Sequence, residues 1–251
     1  MPYIQVKDLE LFYEQMGTGE PILFLHSAYS RGILAFSCQL LDFSNQYTCF
    51  LPDFRGHGRT RCNRLEWSTP QLADDIIGFM DQLDMPRAHL VGYSLGAGVA
   101  LQCAVKSPAR IATLTTIGHS GFVDPAGADE FEPETLVQNG CHEMIQQMIE
   151  RHAEAHKGDW QTFMRQSARD WRLYPQLTED QIQRICCPSL FIAGENDQFA
   201  PEARLQHLSS LVNGSSYLVV PGCSHRPHML RENPTYVNDA ILEFLRSHPL
   251  R

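Results

Sequence analysis

The stretch Gly92-Tyr93-Ser94-Leu95-Gly96 limits the chain's folding options more than any other. Ahead of it runs Ala88-His89-Leu90-Val91, short and mostly apolar, which reads as a buried strand. Behind it, Ala97 to Val105 reads as a helix. A serine therefore stands where a strand turns sharply into a helix. Such a turn crowds the backbone around the serine, and glycine two residues to each side has no Cβ to clash. The tightness pushes Oγ out of the sheet, and the helix N-terminus behind it offers N–H groups to a developing anion. The pattern marks Ser94 as a nucleophile. The competing reading is a glycine-rich turn with a passive serine.

With 251 residues, the chain can bury a full core as one domain, with room for an insertion. Its formal net charge is −9 with no basic block, which argues against nucleic acid and anionic membrane as partners. No apolar run is long enough to span a bilayer. Met1 to Asp8 lacks the charged-then-apolar shape of a signal peptide. The eight cysteines are scattered, Cys186 and Cys187 are adjacent, and no C-x-x-C pair occurs. Free, mostly buried thiols in a reducing cytoplasm are expected. The sequence does not fix an oligomeric state.

In chain order, Tyr3–Val6 and Leu11–Met16 read as an antiparallel opening. Ile22-Leu23-Phe24-Leu25 is a continuous apolar run, as expected of a strand buried on both faces. Phe36 to Phe43 has a helical pattern, and Tyr47 to Leu51 reads as the next strand. Gln71 to Leu83 is amphipathic, with Ser68 or Thr69 as a cap and Pro70 in the first turn. Strands follow at Ile111–Ile117, Ser189–Gly194 and Tyr217–Val220, with helices at Arg204–Leu211 and Tyr236–Leu245. The alternation implies an α/β fold, a mostly parallel sheet with helices on both faces. Residues 119–185 break the alternation with helical character and no convincing strand, so they read as a helical lid inserted between core segments 1–118 and 186–251.

In such sheets the chemistry gathers at the carboxyl ends of the strands. A serine hydroxyl needs a base within hydrogen-bond reach, and the base needs orienting. Gly194-Glu195-Asn196-Asp197 follows one late strand and Gly222-Cys223-Ser224-His225 the next. Their order after Ser94 is the one expected when the nucleophile sits on a strand-to-helix elbow. Glu195 and, more remotely, Asp124 compete with Asp197, and His228 competes with His225.

With these stretches in view, the sequence resembles the α/β-hydrolase fold of the lid-bearing type. That group includes esterases, enol-lactonases, C–C bond hydrolases and cofactor-free haloperoxidases. The resemblance covers nearly the whole chain. Its motifs are Leu25-His26-Ser27, Asp53-Phe54-Arg55-Gly56-His57-Gly58, the Ser94 elbow, Gly194-Glu195-Asn196-Asp197 with Pro201, and Gly222-Cys223-Ser224-His225. It implies a catalytic triad of Ser94, Asp197 and His225. It also implies an oxyanion hole from the backbone N–H of Leu95 with that of Ser27 or Ala28. The family usually carries glycine where Ser27 stands, which makes the Ser27 hydroxyl a further candidate donor. His26, His57 and Asp53 are expected to fix loops. No metal or organic cofactor is required by this chemistry. Serine at the elbow argues against the carboxylate-nucleophile members of the fold.

His152 and His156 are four residues apart, a spacing that can hold zinc, but no third ligand is set by the spacing and a solvated helix face is the expectation. Substrate contacts are expected from Tyr29, Tyr93, His119, Phe122, Met148, Trp160 and Phe163. Which lid residues face the pocket and which pack on the core is not legible. The expected substrate is a small to medium, largely apolar ester or lactone. The lid lacks a basic cluster, although one arginine, Arg165, Arg169 or Arg172, could clamp a single carboxylate. Thioester, amide or C–C cleavage, or a ligand receptor that keeps its triad, are the rival readings.

Overall fold

The computed structural model describes residues 3–122 and 124–250. Met1, Pro2, Val123 and Arg251, and with them the outermost ends of the expected core segments, lie outside the described residues. The strands are β1 (Tyr3–Val6), β2 (Leu9–Met16), β3 (Glu20–Leu25), β4 (Tyr47–Pro52), β5 (Arg61–Cys62), β6 (Ala88–Tyr93), β7 (Ile111–Ile117), β8 (Ser189–Gly194) and β9 (Ser215–Val220). They form one sheet in the order β1-β2-β4-β3-β6-β7-β8-β9, with β5 paired to β2. The β1–β2 and β2–β4 pairs are antiparallel, and every pair from β4 to β9 is parallel. All the parallel strands therefore end at one edge of the sheet.

The strand sequences explain the burial. In β3, Leu23 and Leu25 enter one hydrophobic core, while Ile22 and Phe24 enter the other, on the opposite face. The helices α1 (Gly32–Ala35) and α2 (Leu40–Phe43) are two short turns in place of the single expected helix. Ala35, Phe36 and Phe43 from this region pack with Ile241 and Leu245 of the closing helix on one face. The opposite face is covered by α3 (Thr69–Gln82) and α4 (Leu95–Lys106). Helix α3 starts two residues earlier than its apolar pattern suggests, because Ser68 Oγ accepts from Gln71 N and caps it.

Between β7 and β8 the described residues form helices and no strand: α5 (Pro133–Gln138), α6 (His142–Arg151), α7 (Ala153–His156), α8 (Trp160–Leu173) and α9 (Glu179–Ile182), with a 3₁₀ turn at Pro125–Phe131. Then α10 (Glu202–Leu211) and α11 (Pro234–Ser247) close the fold. The helical segment is tied to the core by a carboxylate. Asp170 of α8 accepts from Thr69 N and Thr69 Oγ1, both at 2.7 Å, at the start of α3. The loop after β4 has its own anchor. Buried Arg55 pairs with Asp8 and with Asp75 of α3, each at 2.8 Å at its shortest. All eight cysteines are free thiols. Among the described residues, no helix is long and apolar enough to cross a membrane.

Candidate active site

Ser94 follows β6 and opens α4 with φ 54° and ψ −116°, a conformation rare for a residue with a side chain. The two flanking glycines are needed for close approach. A Cβ at Gly92 would lie 2.3 Å from Gly96 O, and one at Gly96 would lie 1.9 Å from Leu25 O. Ser94 N donates to Ile117 O at 2.9 Å, pinning the elbow to the end of β7.

His225 follows β9, and its Nε2 stands 3.1 Å from Ser94 Oγ. Its Nδ1 lies 3.1 and 3.0 Å from the two carboxylate oxygens of Asp197, which follows β8. Asp197 is buried and also accepts from Phe199 N at 2.9 Å and Ala200 N at 3.2 Å. With Nδ1–H donating to that carboxylate, Nε2 presents its lone pair to the serine hydroxyl. Gly118, at the end of β7, makes room for the imidazole: a Cβ there would meet the His225 ring at 2.9 Å. Glu195 instead accepts from Gly222 N at 2.8 Å, outside this arrangement.

Around Ser94 lies a cavity of about 550 Å³, lined by Ser27, Ala28, Tyr93, Leu95, Gly118 and His225 among others. Leu95 is the first residue of α4, so its N–H belongs to the turn that a helix cannot satisfy internally. The helix dipole adds to the pull on negative charge there.

The chain matches the model of the alpha/beta hydrolase family over residues 22–240. The chain belongs to the alpha/beta hydrolase family. This alpha/beta hydrolase is 25% identical over 242 residues to the mouse (Mus musculus) serine hydrolase BPHL, covering 90% of the chain and 80% of that relative. It is 30% identical over 123 residues to the dihydrolipoyllysine-residue acetyltransferase component of the acetoin cleaving system of Cupriavidus necator. That match takes 49% of the chain and only 33% of the relative's length. Among solved structures, a thermophilic esterase from Thermogutta terrifontis superposes with a TM-score of 0.80 at 23% identity, over 99% of this chain and 98% of that one.

Of the expected substrate contacts, Tyr29, Tyr93, His119 and Phe122 line the cavity of this alpha/beta hydrolase, whereas Met148, Trp160 and Phe163 do not. Phe163 is fully buried between His57, Trp67 and His152, with ring centroids at 5.2, 5.4 and 4.5 Å. Met148 is buried in the same core, and Trp160 packs against it. Sequence reasoning missed Trp67, Phe131 and Phe199 as cavity walls, and left Trp171 undecided. Phe131, Trp171 and Phe199 form a chain of ring contacts at 5.2 and 5.7 Å that ends on His225, whose ring is 4.8 Å from Phe199. Phe199 lies just beyond Asp197, and that position was the one available signal.

The loop histidines His26 and His57 hold their loops in place. His26 Nδ1 donates to Ser27 O at 2.8 Å, and its Nε2 accepts from Phe54 N at 3.0 Å. His57 Nδ1 donates to Arg55 O at 2.9 Å. Asp53 accepts from Gly32 N at 2.9 Å and from Arg59 N and Nε, both at 3.0 Å. His228 is buried and donates Nε2–H to Ala35 O at 3.1 Å, away from Ser94. Burial pushes His26 and His119 down to about 4 and His57 and His228 down to about 3, so all four are neutral.

The solvated face expected for His152 and His156 is not found, since both are buried. The helix breaks at His152, and Nδ1 of His152 turns inward to accept from Gly58 N at 2.8 Å. His156 Nδ1 accepts from Gly158 N at 2.9 Å. No group of three metal-ligating side chains occurs among the described residues.

Proposed function

We propose that the chain is a serine hydrolase that cleaves a small to medium carboxylic ester or lactone through an acyl-enzyme. The 3.1 Å approach of His225 Nε2 to Ser94 Oγ, backed by the buried Asp197 carboxylate, carries this reading. His225 takes the Ser94 proton as Oγ attacks the carbonyl. The Leu95 N–H, with that of Ser27 or Ala28, stabilises the tetrahedral oxyanion. His225 then protonates the leaving oxygen, and water releases the acyl group by the same steps reversed. Asp197 holds the imidazole tautomer and stabilises its cation.

The substrate is a small molecule held under the helical segment 119–185, which acts as a lid. The aromatic row Phe131–Trp171–Phe199 provides an apolar wall and limits the access of water. The free thiols support a reducing, cytoplasmic setting.

The test is a fluorophosphonate probe followed by ester, lactone, thioester and dienone substrates. Wild-type protein should label and turn over the oxygen esters best. Ser94→Ala should fold, lose labelling and lose several orders of magnitude in turnover. Near wild-type hydrolysis by Ser94→Ala would refute the reading.

A further inference from the structure

A second cavity, of about 390 Å³, adjoins the first and shares Ser27, Ala28, Tyr29 and Tyr93 with it. Among the described residues, its charged lining residues are Arg151, from the end of α6, and Arg226, which directly follows His225. No carboxylate lines it. Arg151 is half-buried, and it donates to neutral oxygens, the Tyr29 carbonyl and Gln147 Oε1. The charge of Arg31 lies close enough to act on Arg151, and Arg31 Nε is itself buried without a partner.

Glu14 and Glu232, the carboxylates on which the charges of Arg31 and Arg226 act, are bonded elsewhere. Glu14 pairs with Arg59, and Glu232 accepts from Ser224 N at 2.9 Å and from its hydroxyl. Two of the three arginines singled out from sequence behave differently. Arg165 pairs with Glu134, and Arg172 pairs with Asp129 and Glu132. A protein of net charge −9 thus keeps two guanidinium groups without a carboxylate ion-pair partner in a cavity that adjoins the nucleophile's.

We propose that the arginine-lined cavity is a subsite for an anionic group of the substrate, a carboxylate carried a few bonds from the scissile carbonyl. The proposal rests on the hydrolytic reading of Ser94 and narrows its substrate class. A guanidinium fork matches a carboxylate in shape and charge, and charge-assisted bonds of this kind are the strong ones. The local positive field also offsets the repulsion that the acidic protein exerts on an anion. The aromatic cavity then takes the apolar part of the same molecule. The proposal adds one carboxylate to the largely apolar substrate expected from sequence.

The experiment uses two matched pairs, 3-acetoxybenzoate with 3-acetoxybenzamide, and 4-nitrophenyl hydrogen adipate with its methyl ester. Wild-type kcat/KM should favour the charged member of at least one pair, and added salt should shrink the preference. Arg226→Gln and Arg151→Gln should each cut the charged-to-neutral ratio by about 10-fold or more, the loss of one charge-assisted contact. Arg226 is exposed, so its variant tests the proposal without a folding penalty, and Arg226→Lys should restore part of the ratio. A wild-type ratio at or below one in both pairs, or a ratio unmoved by both substitutions, would overturn the subsite.

Binding is read separately in Ser94→Ala by ligand-observed NMR with 3-acetoxybenzoate and 3-acetoxybenzamide. Should wild-type protein neither label nor turn over any ester, the hydrolytic reading fails and this arm alone decides the subsite. Acid-selective binding that Arg226→Gln abolishes supports it, and equal binding of acid and amide overturns it.

Discussion

At the scale of single residues, the site depends on a few backbone positions held where other side chains cannot go. Ser94 occupies a strained conformation that typically costs about 1–3 kcal/mol, and the parallel strands and α4 around it hold it there. Gly118 is the less obvious case. Its φ is +66°, and a Cβ would press on the His225 ring at 2.9 Å. Gly118→Ala should therefore keep the fold, with a loss of about 1–2 kcal/mol from the backbone alone. It should also lower kcat for an activated ester far more than it changes KM, because the imidazole is displaced from Ser94. Unchanged kcat in a folded Gly118→Ala protein would show that the ring has room to shift. The two histidines near the end of β9 separate in the same way. His225→Gln should cost several orders of magnitude in turnover. His228→Gln should cost only stability, read by thermal melting, because His228 is spent on the Ala35 carbonyl.

At the scale of elements, strands and core helices were legible because their periodicity reports a buried face directly. The runs at β3, β7 and β8 are apolar or β-branched at nearly every position, and each became a strand buried on both faces. Ser94, Asp197 and His225 were legible because each stands just after a strand. The helical character of residues 119–185 was legible as a segment but not side chain by side chain. An amphipathic pattern says that a face is apolar and does not say whether that face meets core or cavity. Phe163 and Trp171, both on α8, show the difference. Phe163 is enclosed by His57, Trp67 and His152, so Phe163→Ala should destabilise by about 3–5 kcal/mol in urea unfolding. Trp171 faces the cavity between Phe131 and Phe199. Trp171→Ala should change the preference among acyl chain lengths at a smaller cost in stability, while Ser94 stays reactive to a small probe. An unchanged substrate profile would make Trp171 a packing residue like Phe163. Neither distinction was available from sequence, because the partners come from loops distant in the chain.

At the scale of the whole molecule, burial of neutral histidines sets how the fold responds to acid. His26, His57, His119 and His228 are held at about 3 to 4, and His152 is held well below its ordinary range, all chiefly by burial. The unfolded chain takes up protons at these groups near pH 6.5, whereas the folded chain does not. Their contribution to stability is therefore full above about pH 6.5 and is lost as the pH falls from there towards 4. Each group can supply a slope of up to about 1.4 kcal/mol per pH unit. Asp170 works in the opposite sense. Burial raises it to about 6, so between about pH 6 and 4 the folded state holds a proton that the unfolded state releases, and stability rises as the pH falls. Buried Glu14 and Asp75 are raised and act with Asp170, while His89 is lowered and joins the other histidines, whose larger shifts decide the sign. With a stability of about 5–15 kcal/mol typical of a domain, the protein should weaken steeply below pH 6.5 and unfold before the histidines reach their folded-state values. His152→Gln keeps an acceptor for Gly58 N, and it should flatten the urea-measured slope between pH 6.5 and 5 by up to about 1.4 kcal/mol per pH unit. Asp170→Asn should steepen the slope, since it removes an opposing group while leaving an oxygen to accept from Thr69. A flat wild-type profile across that range would mean that these histidines gain their protons without unfolding, through water reaching the core between the helical segment and the loop after β4.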